Sequence, residues 1–194
     1  RLIGQYRTFN AARYSKDGLY VVAGPNFSGG AGLAVSEGLV ANDYDGQLYH
    51  MNRDGSEITP LSKAVDAAIN DMWVLDNNDL ILSVSSADRK PLYFYDASKK
   101  RYRELTPQLD IIDKWAVAEG KQPLMMYAGT AVSAPQALYK QKLNSKAAKL
   151  WDSAQYYSDT RITVLQEFNV VNPQGSAIAG RVYLPDNFDP SRQY

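Results

Sequence analysis

LYHMNRDGSEITPL, residues 48–61, holds an apolar–aromatic pair, a polar turn and a closing leucine. Asp54-Gly55 at its centre is a hairpin signal, because glycine accepts the positive φ of a tight turn at no steric cost. The stretch therefore reads as strand, hairpin, strand. It recurs: Leu48-Tyr49, Leu92-Tyr93 and Leu138-Tyr139 lie 44 and 46 residues apart. Each pair is followed by a polar turn, NRDGSE, DASKKR and LNSKAA in order. The closing leucines, Leu61, Leu105 and Leu150, stand 13, 13 and 12 positions after the first leucine of their pair.

A second marker precedes the pairs. Asp71 and Trp73 align with Asp113 and Trp115 at a spacing of 42, each inside a strand–turn–strand phrase. AARYSKDGLYVVAG near the start has the same form, with Lys16-Asp17-Gly18 as the turn. One unit is thus four short strands over roughly 40–50 residues, the size of a β-propeller blade. Three units are expected: Phe9 to Leu61, Ile69 to Leu105 and Ile111 to Leu150. The first is lengthened by GPNFSGGAGLAVSEG between its second and third strands. Four-stranded sheets cannot bury both faces alone, so they must stack on one another. Three blades leave two outer faces open, which is read as a sign that sequence lies upstream of Arg1. Helix is scarce; SKAVDAAIND, residues 62–71, is expected to make a turn or two.

Past the third unit the pattern changes. Two alternating runs, Thr163 to Val171 and Ser176 to Leu184, are joined by a turn at Asn172-Pro173-Gln174-Gly175. Pro185 ends the second run, and Asp189-Pro190 makes another turn. The fold class expected is all-β: a partial propeller of about three four-stranded blades over residues 1–160, then a long β-hairpin over 161–194. The break is placed near Asp159.

Composition narrows the function classes. Fourteen tyrosines in 194 residues and short apolar runs suit pleated sheets. Lys+Arg and Asp+Glu balance at 21 each, which offers no field for nucleic acid or an anionic membrane surface. The chain has no cysteine, which excludes disulfides and thiolate ligands or nucleophiles. No apolar run approaches the ~20 residues of a membrane span.

The succession of blades and hairpin resembles the prolyl oligopeptidase superfamily of serine peptidases, notably its dipeptidyl peptidase IV branch. There a propeller is followed by an α/β-hydrolase domain across a recurrent phrase. Glu167, Phe168, Gly175, Ile178, Gly180, Leu184, Pro185, Phe188, Asp189, Pro190 and Tyr194 match that phrase in order. YSKDGLYVVAG and LYFYDASKKRYRELTP also look like the family's blades. The resemblance implies that the hairpin opens an α/β-hydrolase sheet. The propeller would gate a Ser-Asp-His site lying beyond this chain. It further implies a short-peptide substrate, no cofactor, a homodimeric parent and a periplasmic or secreted setting, the cytoplasm being the other option. The paired glutamates that anchor a substrate amino terminus in the dipeptidyl branch have no counterpart here. Dipeptidyl, endo- and acylaminoacyl peptidases therefore stay open. The competing reading is a TolB-like, non-catalytic propeller for protein binding, which leaves the long hairpin unexplained. A hydrolase half that has lost its triad is a third.

Within the chain itself no catalytic, cofactor-binding or metal residue is expected. His50 is the one histidine, and it reads as a partly exposed residue at a strand end. AVSEG around Ser36 lacks the first glycine of a Gly-x-Ser-x-Gly elbow and is followed by strand and turn character rather than a helix. GPNFSGGAG lacks the Gly-Lys-Ser/Thr of a phosphate loop. Asp43 and Asp45 suggest calcium, but a calcium loop begun at Asp43 would meet Leu48 at its sixth position and Asp54 at its twelfth, where glycine and glutamate are needed. SKKRYR, residues 98–103, reads as a solvated turn, and Trp73 and Trp115 as packing between blades.

Overall fold

The computed structural model describes residues 9–25, 27, 45–63, 65, 67–157, 159, 164–185 and 187–193. They form three four-stranded antiparallel sheets, each wound in simple up-and-down order, and one two-stranded ribbon. The first sheet is β1 (Phe9–Tyr14), β2 (Leu19–Ala23), β3 (Gln47–Met51) and β4 (Thr59–Pro60). The second is β5 (Ala68–Val74), β6 (Leu80–Ser85), β7 (Leu92–Asp96) and β8 (Arg101–Glu104). The third is β9 (Ile111–Ala118), β10 (Leu124–Ala131), β11 (Ala134–Lys142) and β12 (Ala148–Asp152). A 3-10 turn over Ser153–Tyr156 follows, then the ribbon of β13 (Val164–Val171) and β14 (Ala177–Leu184). The fold is all-β, as the repeats require. Among the described residues of 62–71, Val65 N–H donates to the Ser62 carbonyl in a turn. It is strand again from Ala68.

The recurrent Leu-Tyr pair now has a physical meaning. Neighbouring residues of a strand point to opposite faces of the sheet. Leu48 joins the core between the first and second sheets, with Tyr20, Val22, Ile69, Met72, Leu80 and Leu82. Leu92 joins the core between the second and third, with Ile81, Phe94, Leu105, Met125 and Tyr127. The tyrosines face the other way: Tyr49 to the far side of the first sheet, Tyr93 onto the first seam and Tyr139 onto the second. The first two pairs thus fill two layers each, one residue forward and one back, whereas Leu138 of the third pair joins none of these core clusters. Burying such a leucine stabilises by ~1.5–3 kcal/mol, and neither Leu48 nor Leu92 retains exposed surface. This also explains why LYVVA and LILSVS show little alternation: β2 and β6 are covered on both sides.

Backbone bonds tie sheet to sheet at equivalent places. Ile69 N–H donates to the Gly46 carbonyl at 2.8 Å, and Ile112 N–H to the Lys90 carbonyl at 3.0 Å. A Cβ on Gly46 would lie 2.2 Å from the Ile69 carbonyl oxygen, so only glycine permits that approach. Inside each of the first two sheets a buried hydroxyl closes the last strand. Ser62 Oγ accepts from Leu48 N–H and Thr106 Oγ1 from Leu92 N–H, each at 2.9 Å.

Two repeat markers are corrected. Ile69 pairs with Val84 and Met72 with Leu82, just as Ile112 pairs with Gly129 and Trp115 with Tyr127. Met72, not Trp73, is therefore the counterpart of Trp115. A bulge in β5 and another in β9 hold this register, and the tryptophan match at 42 residues is off by one position. Both indoles still serve the same seam: Trp115 packs on its core, and the half-exposed Trp73 donates from Nε1 to Glu119 at 3.1 Å. Likewise Trp151, not Leu150, pairs with Leu138, because the β11–β12 register shifts there. Leu150 is left 45 % exposed while Leu105 is 2 % exposed.

Candidate functional site at the junction of sheets and ribbon

The up-and-down order sorts the turns by end. The β1–β2, β3–β4, β5–β6, β7–β8, β9–β10 and β11–β12 turns share one end of the sheets. The β6–β7, β8–β9 and β10–β11 connections share the other, and that is where β14 makes contact.

At the first end lies His50, 24 % exposed along its side chain. Its Nε2 stands 3.4 Å from both Ser15 Oγ and Asp17 Oδ1. The residue types are those of a triad, but the arrangement is not. Ser15 donates its proton to Asp17 at 2.8 Å and accepts from Gly18 N–H at 2.9 Å, so the hydroxyl closes the β1–β2 turn. A triad places the serine and the carboxylate on different imidazole nitrogens; here both face one. Asp17 titrates below the usual carboxylate range, chiefly through the Ser15 hydrogen bond. Asn78, in left-handed backbone at φ 69°, reaches from the second sheet. It accepts from Lys16 N–H at 3.0 Å through Oδ1 and from the Tyr20 hydroxyl at 3.0 Å through its carbonyl. The cluster is a seam between sheets.

A groove of about 600 Å³ opens at the same end between the second and third sheets, over Phe94 and Leu143. Its polar groups are largely committed to the turns that form it. Asp79 accepts from Ala97 N–H and Asn77. Asp96 is held down to about 2 by the Ser98 hydroxyl, with Lys99 adding its own bonds. Arg103 lies 5.3 Å from the Phe94 ring centre and donates to the Leu143 carbonyl and Asn144. Ser98, Lys99 and Lys100 are exposed, as a solvated turn should be. Ser36 and Asp43 lie outside the described residues, as does most of GPNFSGGAG; Phe27 of that stretch packs on Tyr49 at 5.1 Å. Among the described residues no group of three or more His, Cys, Asp or Glu side chains could hold a metal.

The opposite end carries the junction. Asp110, on the connection from β8 to β9, is its node. Its Oδ1 accepts from Arg89 Nε at 3.1 Å and its Oδ2 from Val132 N–H at 2.7 Å. Arg89 also makes a two-pronged bond to Glu104, at 2.8 and 3.3 Å, and that bond above all raises its already high pKa. From the ribbon, Arg181 Nε lies 3.0 Å from Asp88 Oδ2 and 3.3 Å from Glu167, with Nη2 4.0 Å from Asp110. The Tyr183 hydroxyl donates to the Val132 carbonyl at 3.0 Å. Of these residues only Glu167 stood out in the sequence; Arg181, Asp110 and Arg89 carried no local signal.

The ribbon explains part of the phrase read from the sequence. Phe168 pairs with Gly180, and a Cβ on Gly180 would come within 2.3 Å of the Phe168 ring. Glycine there lets the ring lie across the partner strand. The turn closes through Asn172, whose Oδ1 accepts from Ser176 N–H at 2.7 Å, with Gly175 at φ 85°.

No family model matches this sequence, and no curated protein matches it. Solved structures do. Porphyromonas gingivalis dipeptidyl peptidase 4 superposes with a TM-score of 0.63 at 14 % identity, over 95 % of this chain and 24 % of its own. A puromycin-hydrolyzing peptidase of Mycobacterium tuberculosis gives 0.57 at 12 % identity, over 91 % and 26 %. The acylaminoacyl peptidase of Pyrococcus horikoshii gives 0.53 at 10 % identity, over 91 % and 32 %. The chain thus spans about a quarter to a third of the length of these structures. It has the fold of the propeller-like blades of dipeptidyl peptidase 4-like and prolyl oligopeptidase-like peptidases.

Proposed function

We propose that this chain supplies the closing blades of a propeller, residues 1–160, and the ribbon that leads into an α/β-hydrolase domain, residues 161–194, of a serine peptidase acting on short peptides. The observation that supports this most is the order of parts. Stacked four-stranded sheets give way to a ribbon that, among the described residues, shares no core cluster with them, and the likeness to solved peptidases runs over 95 % of the chain. In this reading the sheets limit access to a Ser-Asp-His site outside these residues. The serine attacks the peptide carbonyl while the histidine takes and returns its proton. The chain's own contribution is to fix where that domain sits, through the end of the sheets that carries Asp88, Asp110 and Val132. The His50 cluster lies at the opposite end and takes no part.

The test is labelling of the protein encoded by the complete gene with a fluorophosphonate, followed by peptide mapping. The expected result is a labelled serine outside these 194 residues, with turnover of a proline- or alanine-linked chromogenic dipeptide. The chain alone is expected to be neither labelled nor active. A label on Ser36, or a complete protein that resists the reagent, overturns the reading.

A further inference from the structure

The sheets and the ribbon are joined in a way that differs from every other contact between layers. Among the described residues, none of the three apolar core clusters includes a residue of β13 or β14. Ribbon side chains that would serve such a core stay exposed, among them Phe168 and Ile178. What crosses instead is polar. Arg181 is the best buried of these groups, 19 % exposed, and faces Asp88 and Asp110 across the junction and Glu167 along its own ribbon. Tyr183 adds one hydrogen bond. Asp110 is held independently by Arg89 and Val132 N–H, so its carboxylate is in place whether or not Arg181 is docked.

We propose that Arg181, seated on Asp88 and Asp110, is an ionic pin that fixes the ribbon to the seam of the second and third sheets and lets it pivot when released. Three features carry this. The Asp110 side of the socket is pre-built on the sheets. The plug is a single guanidinium, whose rigid fork suits several carboxylates at once. No apolar core opposes its withdrawal, so screening of charge acts on the junction and leaves the sheets intact. Glu167 offers Arg181 a place to rest on its own ribbon when it leaves the socket, at 3.3 Å in the docked state. The inference rests on the contacts of this chain alone, so it stands or falls separately from the peptidase reading.

The lack of cysteine makes the test clean. Spin labels are placed on the 194-residue chain at Gln174→Cys, in the ribbon turn, and Lys114→Cys, on the third sheet. A control pair uses Lys63→Cys and Lys114→Cys. Distances are read by electron–electron resonance at about 0.01 M and about 1 M salt, where the screening length falls from ~30 Å to ~3 Å. The expected result is one narrow ribbon–sheet distance at low salt, lost at high salt, with the control unchanged. Arg181→Gln should lose it at both salts, Arg181→Lys only in part, and Tyr183→Phe should keep it. A narrow distance in Arg181→Gln overturns the pin. So does a control distance that broadens together with the ribbon's, because Arg181 would then be holding the sheets.

Discussion

The second sheet and the ribbon are both antiparallel, and both are built from apolar, aromatic and β-branched residues, yet they are stabilised differently. The second sheet is covered on both faces, and β6 holds Leu80, Ile81, Leu82 and Val84 at 0 % exposure. The ribbon leaves Val171 71 % and Tyr183 52 % exposed. Sheets in the stack draw on area removed from water, which is non-directional and large. The ribbon draws on its own ladder, its turn and a few charged contacts. Strand content alone therefore says little about stability; the number of covered faces decides it.

The sharpest way to break this contrast is to truncate one repeat position in two layers. Leu92→Ala should cost ~2–5 kcal/mol, the usual loss for a leucine in a closed core. Leu138→Ala, at the same repeat position on a half-buried face, should cost under about 1.5 kcal/mol. Urea denaturation of both variants measures it, and equal losses would mean that the third sheet's forward face is as well covered as the second's.

Next come the closing hydroxyls. Thr106→Val leaves the buried Leu92 N–H without its acceptor, and about 1–3 kcal/mol should be lost. Ser176→Ala in the exposed ribbon turn should stay within about 0.5 kcal/mol. If the two cost the same, the buried bond is not what closes the sheet.

A pH titration sharpens the comparison further. Burial pushes Tyr20, Tyr49 and Tyr127 up to about 12. The folded chain therefore keeps protons that the unfolded chain releases near pH 10. Stability should be full below pH 10 and fall as pH rises from 10 towards 12. Absorbance at the phenolate band should show these three titrating late, together with Tyr95 and Tyr102, which burial also raises. Simultaneous titration of all the tyrosines below pH 11 would contradict the packing.

The smallest effect is expected at Gly180→Ala. The Phe168 ring must lift off its partner strand, so the ring-current shifts on residue 180 should vanish from the proton spectrum. The urea midpoint of the sheets should not move. A fall in that midpoint would mean that the ribbon shares in the stack.

Much of the architecture was readable because it repeats. Leu48-Tyr49 and Leu92-Tyr93 stand where a strand feeds two layers at once, because adjacent residues on a strand point to opposite faces. The ribbon was readable from its alternation and its Asn-Pro-Gln-Gly turn, within a residue of the observed β13 and β14. The tryptophan match misled because β5 and β9 align at a spacing of 43, with a bulge at the same place in each, so Trp115 falls on Met72 and the 42-residue match is a coincidence of residue type. Ser62 and Thr106 sit 14 residues after Leu48 and Leu92, a signal present but common enough to pass for turn chemistry. Arg181 and Asp110 stand 71 residues apart, with nothing nearby to link them.

Residue order alone determined that this chain is a run of equivalent small sheets followed by something different, because periodic burial leaves a periodic trace. Only the tertiary structure decided which end of the sheets meets the ribbon and that charge rather than apolar packing joins them. Up-and-down strands send alternate turns to opposite ends, and ion pairs between distant residues depend on where those ends come together.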